Sequence, residues 1–287
     1  MVKTSKFFFE SFPQNPVVLS VMFCKKFGIF SPGDKVGVGV SGGKDSIFLL
    51  HILTFFRSKF GIKDVLCLHF NHGTRGKESD KDEEFVKKFC EDIGVKFIGE
   101  KTRIELKTED EMRKVRYDFF SKSAKEFKLD KIATAHNLDD LFETFLINLK
   151  RGGGFMSAIG IYPININLCA VPVVRPIICV KRKSIEKYIK ENQLSYVEDS
   201  SNLDIKILRN RIRMTLSLLP DEIYDSILLG FFKFWLNLYA TSDFLSDTYN
   251  KNPEILPEVI KKQIEIYKKF GNVEYEILKR NIKRKEN

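Results

Sequence analysis

The sequence predicts an α/β protein: a parallel sheet with helices on both faces, followed by a smaller, wholly helical C-terminal region. Three observations carry this. Short valine- and isoleucine-rich strands alternate with helices from residue 35 to about 150, the pattern of a sheet built from crossover units. A glycine-rich turn, "SGGKDS" (41–46), joins a valine strand to an apolar helix. Beyond Pro220 the strands stop and apolar residues recur at helical spacing.

The elements follow in order. "NPVVLSVMFCKKFGIF" (15–30) reads as an amphipathic helix with Pro16 in its first turn. "KVGVGV" (35–40) is a strand, followed by a helix from about 43 to 58. "DVLCLHF" (64–70) leads into the charged helix 78–94, and "VKFIGEK" (95–101) into the helix 109–127. "KIATAH" (131–136) leads into "DDLFETFLINLKR" (139–151). From "RGGGFMSAIG" (151–160) the pattern loosens, and 175–213 mixes a helix with a loop. Segments 222–249 and 256–287 read as helices. The division falls between 213 and 221, giving domains 1–215 and 216–287. In a parallel sheet of this kind ligands sit beyond the carboxyl ends of the strands. That places Ser41–Ser46, His69–His72 and His136–Asp140 along one rim.

Composition narrows the classes. With 43% hydrophobic and 13% aromatic residues in 287, the chain has enough apolar material for a packed core. No apolar run approaches the ~20 residues of a membrane span. The opening "MVKTSKFFFESFPQNP" is interrupted by Glu10 and does not read as a signal sequence. The five cysteines lie far apart with no CxxC pair, which argues against zinc and disulfide frameworks and fits a reducing cytoplasm. The net charge of +10 fits either a lysine-rich solvated surface or a polyanionic partner.

The glycine-rich turn admits three readings. Gly37, Gly39 and Gly42 match GxGxxG, but the second strand ends in His69, Phe70, Asn71 and His72, without the acid a dinucleotide fold uses on the ribose. A Walker loop fails twice, with Val38 at its first glycine and Asp45 after Lys44. The third reading is SGGxDS. Bare amides at a helix start attract phosphate. Gly42 and Gly43 let backbone approach it, Ser41 and Ser46 offer hydroxyls, and Asp45 can hold Mg2+. The bland alternative is a strand-to-helix turn without a ligand. In this third form the stretch resembles the pyrophosphate loop of the ATP pyrophosphatase (PP-loop) superfamily.

Four further stretches sharpen the resemblance. They are "HFNHGTRGKESDKDEEFVKKFC" (69–90), "RKVRYDFF" (113–120), "ATAHNLDDLFETFLINLKRGGG" (133–154) and "YVEDSSNLDIKILRNRIR" (196–213). With the loop, residues 34–213 resemble the tRNA(Ile)-lysidine synthetase family. The resemblance implies an ATP- and Mg2+-dependent ligase. It would join L-lysine to C2 of the wobble cytidine of an isoleucine tRNA through an adenylated base. It implies ATP binding by Ser41, Gly42, Gly43, Lys44, Asp45, Ser46 and Arg113, with Asp45 on the metal. His136, Asp140, Glu143 and Arg209 would be the catalytic set. The spacing of the first three (i, i+4, i+7) is that of one helical face. The bland reading of their neighbour Asp139 is an acid at a helix N-terminus, and that of Arg209 a surface basic cluster. His72 and Arg75 match a loop beside the family's site. Arg151, before three glycines, could hold phosphate in a backbone nest, whereas His51 and His69 read as packed.

The chain departs from the family at Asn137, Leu141 and Ile207, where a second histidine, a glutamine and an aromatic are usual. The second C-terminal domain of longer members is not found. The lysines and arginines of 256–287 would meet the tRNA body, and a homodimer stays open. Rival classes are a tRNA thiolase, an amide-forming ligase for a small metabolite, and a non-enzymatic ATP-binding module.

Overall fold

The computed structural model describes residues 13–74, 76–102, 108–153, 155–198 and 207–251. Arg75, the 199–206 part of the fourth family stretch and the basic segment 256–287 lie outside the described residues, as do the side chains of 155, 156 and 242–251.

The elements are α1 (Pro16–Phe27), β1 (Asp34–Gly39), α2 (Lys44–Phe55), α3 (Arg57–Phe60), β2 (Ile62–Asn71), α4 (Lys77–Asp92), β3 (Lys96–Lys101), α5 (Glu109–Glu126), β4 (Lys131–Ala133), α6 (Leu138–Lys150), α7 (Phe155–Ile159), β5 (Ile164–Asn165), β6 (Val173–Val174), α8 (Arg182–Glu191), α9 (Leu208–Leu216) and α10 (Asp221–Lys251). They group into two compact units, one from the described parts of Met1–Asn137 and Leu168–Ser200, the other from those of Leu138–Asn167 and Ser201–Asn287. The two units are interleaved along the sequence, because the chain leaves the first at Asn137 and re-enters it at Leu168.

The first unit holds a parallel sheet in the order β3-β2-β1-β4-β6. The order reverses at β1, whose neighbours are β2 and β4, so the switch point lies between the carboxyl ends of β1 and β4. The two glycines of "KVGVGV" lie against the core. A Cβ on Gly37 would stand 2.7 Å from Leu129 and one on Gly39 2.8 Å from Phe120. Their bareness lets α5 settle onto β1, where Phe120, Tyr117 and Ala124 join Leu66, Leu68 and Ile132 in one apolar cluster. The strand's period of two sends Val36, Val38 and Val40, all buried, to the opposite face. The GxGxxG match is thereby explained by packing.

Caps fix the ends of helices. Asn15 accepts from the amides of Val17 and Val18, and Gly28 closes α1 with φ +58°. Thr108 and Glu111 form a reciprocal capping box on α5. The expected helix 43–58 breaks at Phe56, and α3 ends one turn later at Gly61, φ +77°.

In the second unit α10 packs on α6. Phe231 sits 4.8 Å from Phe142 and 5.0 Å from Phe145 between ring centres, and Tyr224 donates to Asp139 at 2.8 Å. The indole of Trp235, fully buried, donates to the Ile159 carbonyl at 2.8 Å. The glycines after Arg151 end α6: the amides of Gly152 and Gly153 donate to Leu149 and Asn148, and Gly152 takes φ +71°. Among the described residues no helix is long and apolar enough to cross a membrane.

Candidate active site

The glycine-rich turn leaves β1 and opens α2 at the switch point of the sheet. Gly43 is the N-cap, and Asp45 lies in the first turn. Gly42 takes φ +94°, which a side chain would strain. The turn is laced from inside. The Ser46 hydroxyl donates to the Gly43 carbonyl at 2.8 Å and accepts from the Ser41 amide at 3.2 Å. These bonds hold the Ser46 hydroxyl inside the turn and shape the loop. From outside, the Val197 amide donates to the Gly42 carbonyl at 2.9 Å. The Lys44 ammonium pairs with Glu186 of α8. Gly43 has room: a Cβ there would meet nothing closer than 3.6 Å. That openness beside a helix N-terminus suits an anion.

Beside this loop, one strand along, β4 ends at Ala133, in register with Val38 of β1. Thr134–Asn137 then cross to α6, which starts at Leu138. His136 thus lies in the strand-to-helix connection, its Nδ1 3.1 Å from the Thr134 hydroxyl. The helical face assigned from the i, i+4, i+7 spacing is corrected here: Asp140 and Glu143 stand on α6, and His136 precedes it. His136 belongs to the first unit and shares the carboxyl edge of the sheet with the loop.

At the end of β2, His69 is buried with Nδ1 2.9 Å from the Val40 carbonyl, and His51 meets the Tyr188 hydroxyl at 3.1 Å. Both are packed, as their surroundings in the sequence suggest, and burial lowers the pKa of each. His72 is pushed down to about 4 by burial, with the Arg116 guanidinium and His69 adding to the effect. Arg113 and Arg116 both lie near the Tyr117 ring, 5.6 and 5.8 Å from its centre. Arg113 is exposed, and Arg116 is the one His72 feels.

A second constellation stands in the second unit, where α9 faces α6. Arg213 donates to both carboxylate oxygens of Glu143, each at 2.9 Å, and lies 3.5 Å from Asp140. Arg209, one turn earlier, donates to the Thr144 hydroxyl at 3.0 Å and comes within 4.0 Å of Glu143. Asp140, Glu143 and Arg209 are thus brought together, joined by Arg213. The sequence motif points to Arg209 but not to Arg213; the signal for the second is its one-turn spacing from Arg209 on a face opposite two acids. Leu141, a departure from the family pattern, is fully buried and serves the core.

Comparison with known proteins adds to this geometry. A family profile described as a PP-loop domain matches residues 20–220. A tRNA(Ile)-lysidine synthase from Petrotoga mobilis is 31% identical over 250 residues, covering 85% of this chain and 78% of that protein. The chain belongs to the tRNA(Ile)-lysidine synthase family. A synthase of the same name from Clostridium tetani is 39% identical over 198 residues, 67% of this chain but 41% of the other. The chain spans about half the length of several curated relatives it matches. Among solved structures, a U34-tRNA thiolase from Methanococcus maripaludis has a TM-score of 0.57 at 18% identity, covering 77% of this chain and 78% of that one. That likeness speaks to the fold alone.

Proposed function

We propose that this chain is an ATP-dependent carbon–nitrogen ligase that converts the wobble cytidine of an isoleucine tRNA to lysidine. The observation that carries the reading is the SGGKDS loop at the switch point, in a chain with the family's four further motifs. The cytidine O2 attacks the α-phosphorus of ATP, the bond to the β-phosphate oxygen breaks, and pyrophosphate leaves. The lysine ε-amine then attacks C2, the C2–O bond breaks, AMP leaves and the nitrogen sheds a proton. Glycine amides at the start of α2 receive the pyrophosphate. His136 stands on the same edge to meet the phosphate undergoing attack. By the family resemblance Asp140 and Arg209 are assigned to the base step and Arg113 to the nucleotide.

Among the described residues no cluster of three metal-binding side chains occurs. Asp45 offers one carboxylate. This fits Mg2+, which takes one or two carboxylates and completes its shell with phosphates and water; when bound it neutralises the phosphates. The basic C-terminal region, residues 216–287, is proposed to hold the tRNA body. The reading places the enzyme in the cytoplasm, with its tRNA and L-lysine.

The decisive experiment incubates the full chain with ATP, Mg2+, lysine and an isoleucine tRNA transcript bearing a CAU anticodon. A gain in mass by one lysine less water, confined to the wobble nucleotide and matched by AMP release, is expected. An unmodified transcript would sink the reading. The thiolase alternative is disfavoured because the loops at 40–46, 71–76 and 134–137 contain no cysteine.

A further inference from the structure

Glu143 is the most enclosed acid of the second constellation, its side chain 1% exposed against 15% for Asp140. A carboxylate so far from water needs full pairing. It has it: the Nε and one terminal nitrogen of Arg213 meet its two oxygens in parallel at 2.9 Å, the bidentate geometry in which arginine binds carboxylate most firmly. The same guanidinium reaches Asp140 at 3.5 Å, whereas Arg209 bonds a hydroxyl and stays 4.0 Å from Glu143. Both oxygens of this carboxylate are engaged by one guanidinium.

We propose that Arg213 is a positioning residue that seats Glu143, and that the pair holds Asp140 and Arg209 as the groups facing the substrate. This rests on the ligase reading for the nature of that substrate. Glu143 then acts as the buried seat for an arginine, not as an acid, base or metal ligand. Arg213, one turn beyond Arg209, pins α9 against α6 and so sets the position of Arg209.

The test is a double-mutant cycle in the full chain, with kcat and KM measured separately. Glu143→Gln and Arg213→Met are each expected to lower kcat at least about tenfold, somewhat below the scale on which a positioned catalytic group acts, while KM for ATP stays within about twofold. In the Glu143→Gln background, Arg213→Met should cost less than about threefold more, because its target is already gone. Arg213→Lys should recover part of the activity. A further tenfold fall on removing Arg213 from the Glu143→Gln enzyme would overturn the proposal, since each residue would then act on the substrate by itself. Should Arg213→Met alone fail to fold, the Glu143→Gln/Arg213→Met protein carries the same comparison. If the wild-type chain modifies no tRNA, the ligase reading fails and the seating is judged by thermal unfolding. The Tm losses of Glu143→Gln and Arg213→Met should then be strongly non-additive, and those of Glu143→Gln and Arg209→Met additive. Additivity in the first pair would sink the seating as well.

Discussion

Asp45 is the loop's single acid, and replacing it with asparagine removes the charge that orients the cation on the phosphates. AMP release should fall about a hundred- to a thousandfold, the scale on which one electrostatic group acts at a reacting centre. Thermal stability should barely move, because the residue is half-buried in the first turn of a helix, where an acid contributes only about 0.3–1 kcal/mol. Pyrophosphate release at the wild-type rate would refute the metal assignment. His72 makes a different prediction. Its pKa is lowered from the ordinary 6.5 to about 4, so the folded chain keeps the ring neutral where the unfolded chain protonates it. Stability is therefore lost as pH falls from 6.5 towards 4, and nothing is lost above that window. The half-buried His51 and the buried His69 act in the same direction. Unfolding curves of His72→Gln should show a shallower acid slope than wild type; equal slopes would show that the imidazole is not held neutral. Asp140, Glu143 and Arg209 were singled out by the stretches that resemble the family, and the structure brings the three together. Arg213 was not singled out, because its partner lies 70 residues away and no local pattern announces the pairing.

The four glycines between Gly37 and Gly43 divide into two kinds, and substitution should separate them. Gly39→Val drives a branched side chain into Phe120 of α5. Such overpacking costs about 1–3 kcal/mol and should appear as a lower Tm with ATP affinity kept per folded molecule. Gly43→Ala should do the reverse: its φ of −70° and clear surroundings accept a methyl group, yet the methyl crowds the anion site. Loss of ATP affinity without loss of Tm is expected; unchanged affinity would mean that phosphate does not rest on this turn. The alternation of strands and helices was readable because crossover units impose it. The helix expected at 139–151 lies at Leu138–Lys150, its start marked by the acid pair Asp139–Asp140 of a first helical turn. Strands β5 and β6 are two residues each, too short for any pattern to reveal.

Across the whole chain, the net charge of +10 suits the tRNA partner proposed above as well as a plain lysine-rich surface, and charge reversal separates the two. Reversing Lys279, Arg280, Lys283 and Arg284, which lie outside the described residues, should weaken tRNA binding. It should also flatten the salt dependence by about 0.7–0.9 in logarithmic slope for each phosphate that is no longer neutralised. Unchanged affinity and slope would move the tRNA-binding surface to another face. The interleaving of the two compact units was invisible in the sequence, since a chain that leaves a unit at Asn137 and returns at Leu168 does so without a change in composition. Trp235 turns that interleaving into something observable. It is the chain's single tryptophan, enclosed and hydrogen-bonded to Ile159 within the second unit. Its emission is therefore a built-in lamp for one unit alone. During denaturation a red shift would mark the opening of the α6–α10 core, while far-ultraviolet dichroism follows both units together. Coincident curves would mean that one cooperative transition governs the protein, and separated curves would give each unit its own melting point in an unlabelled, full-length chain.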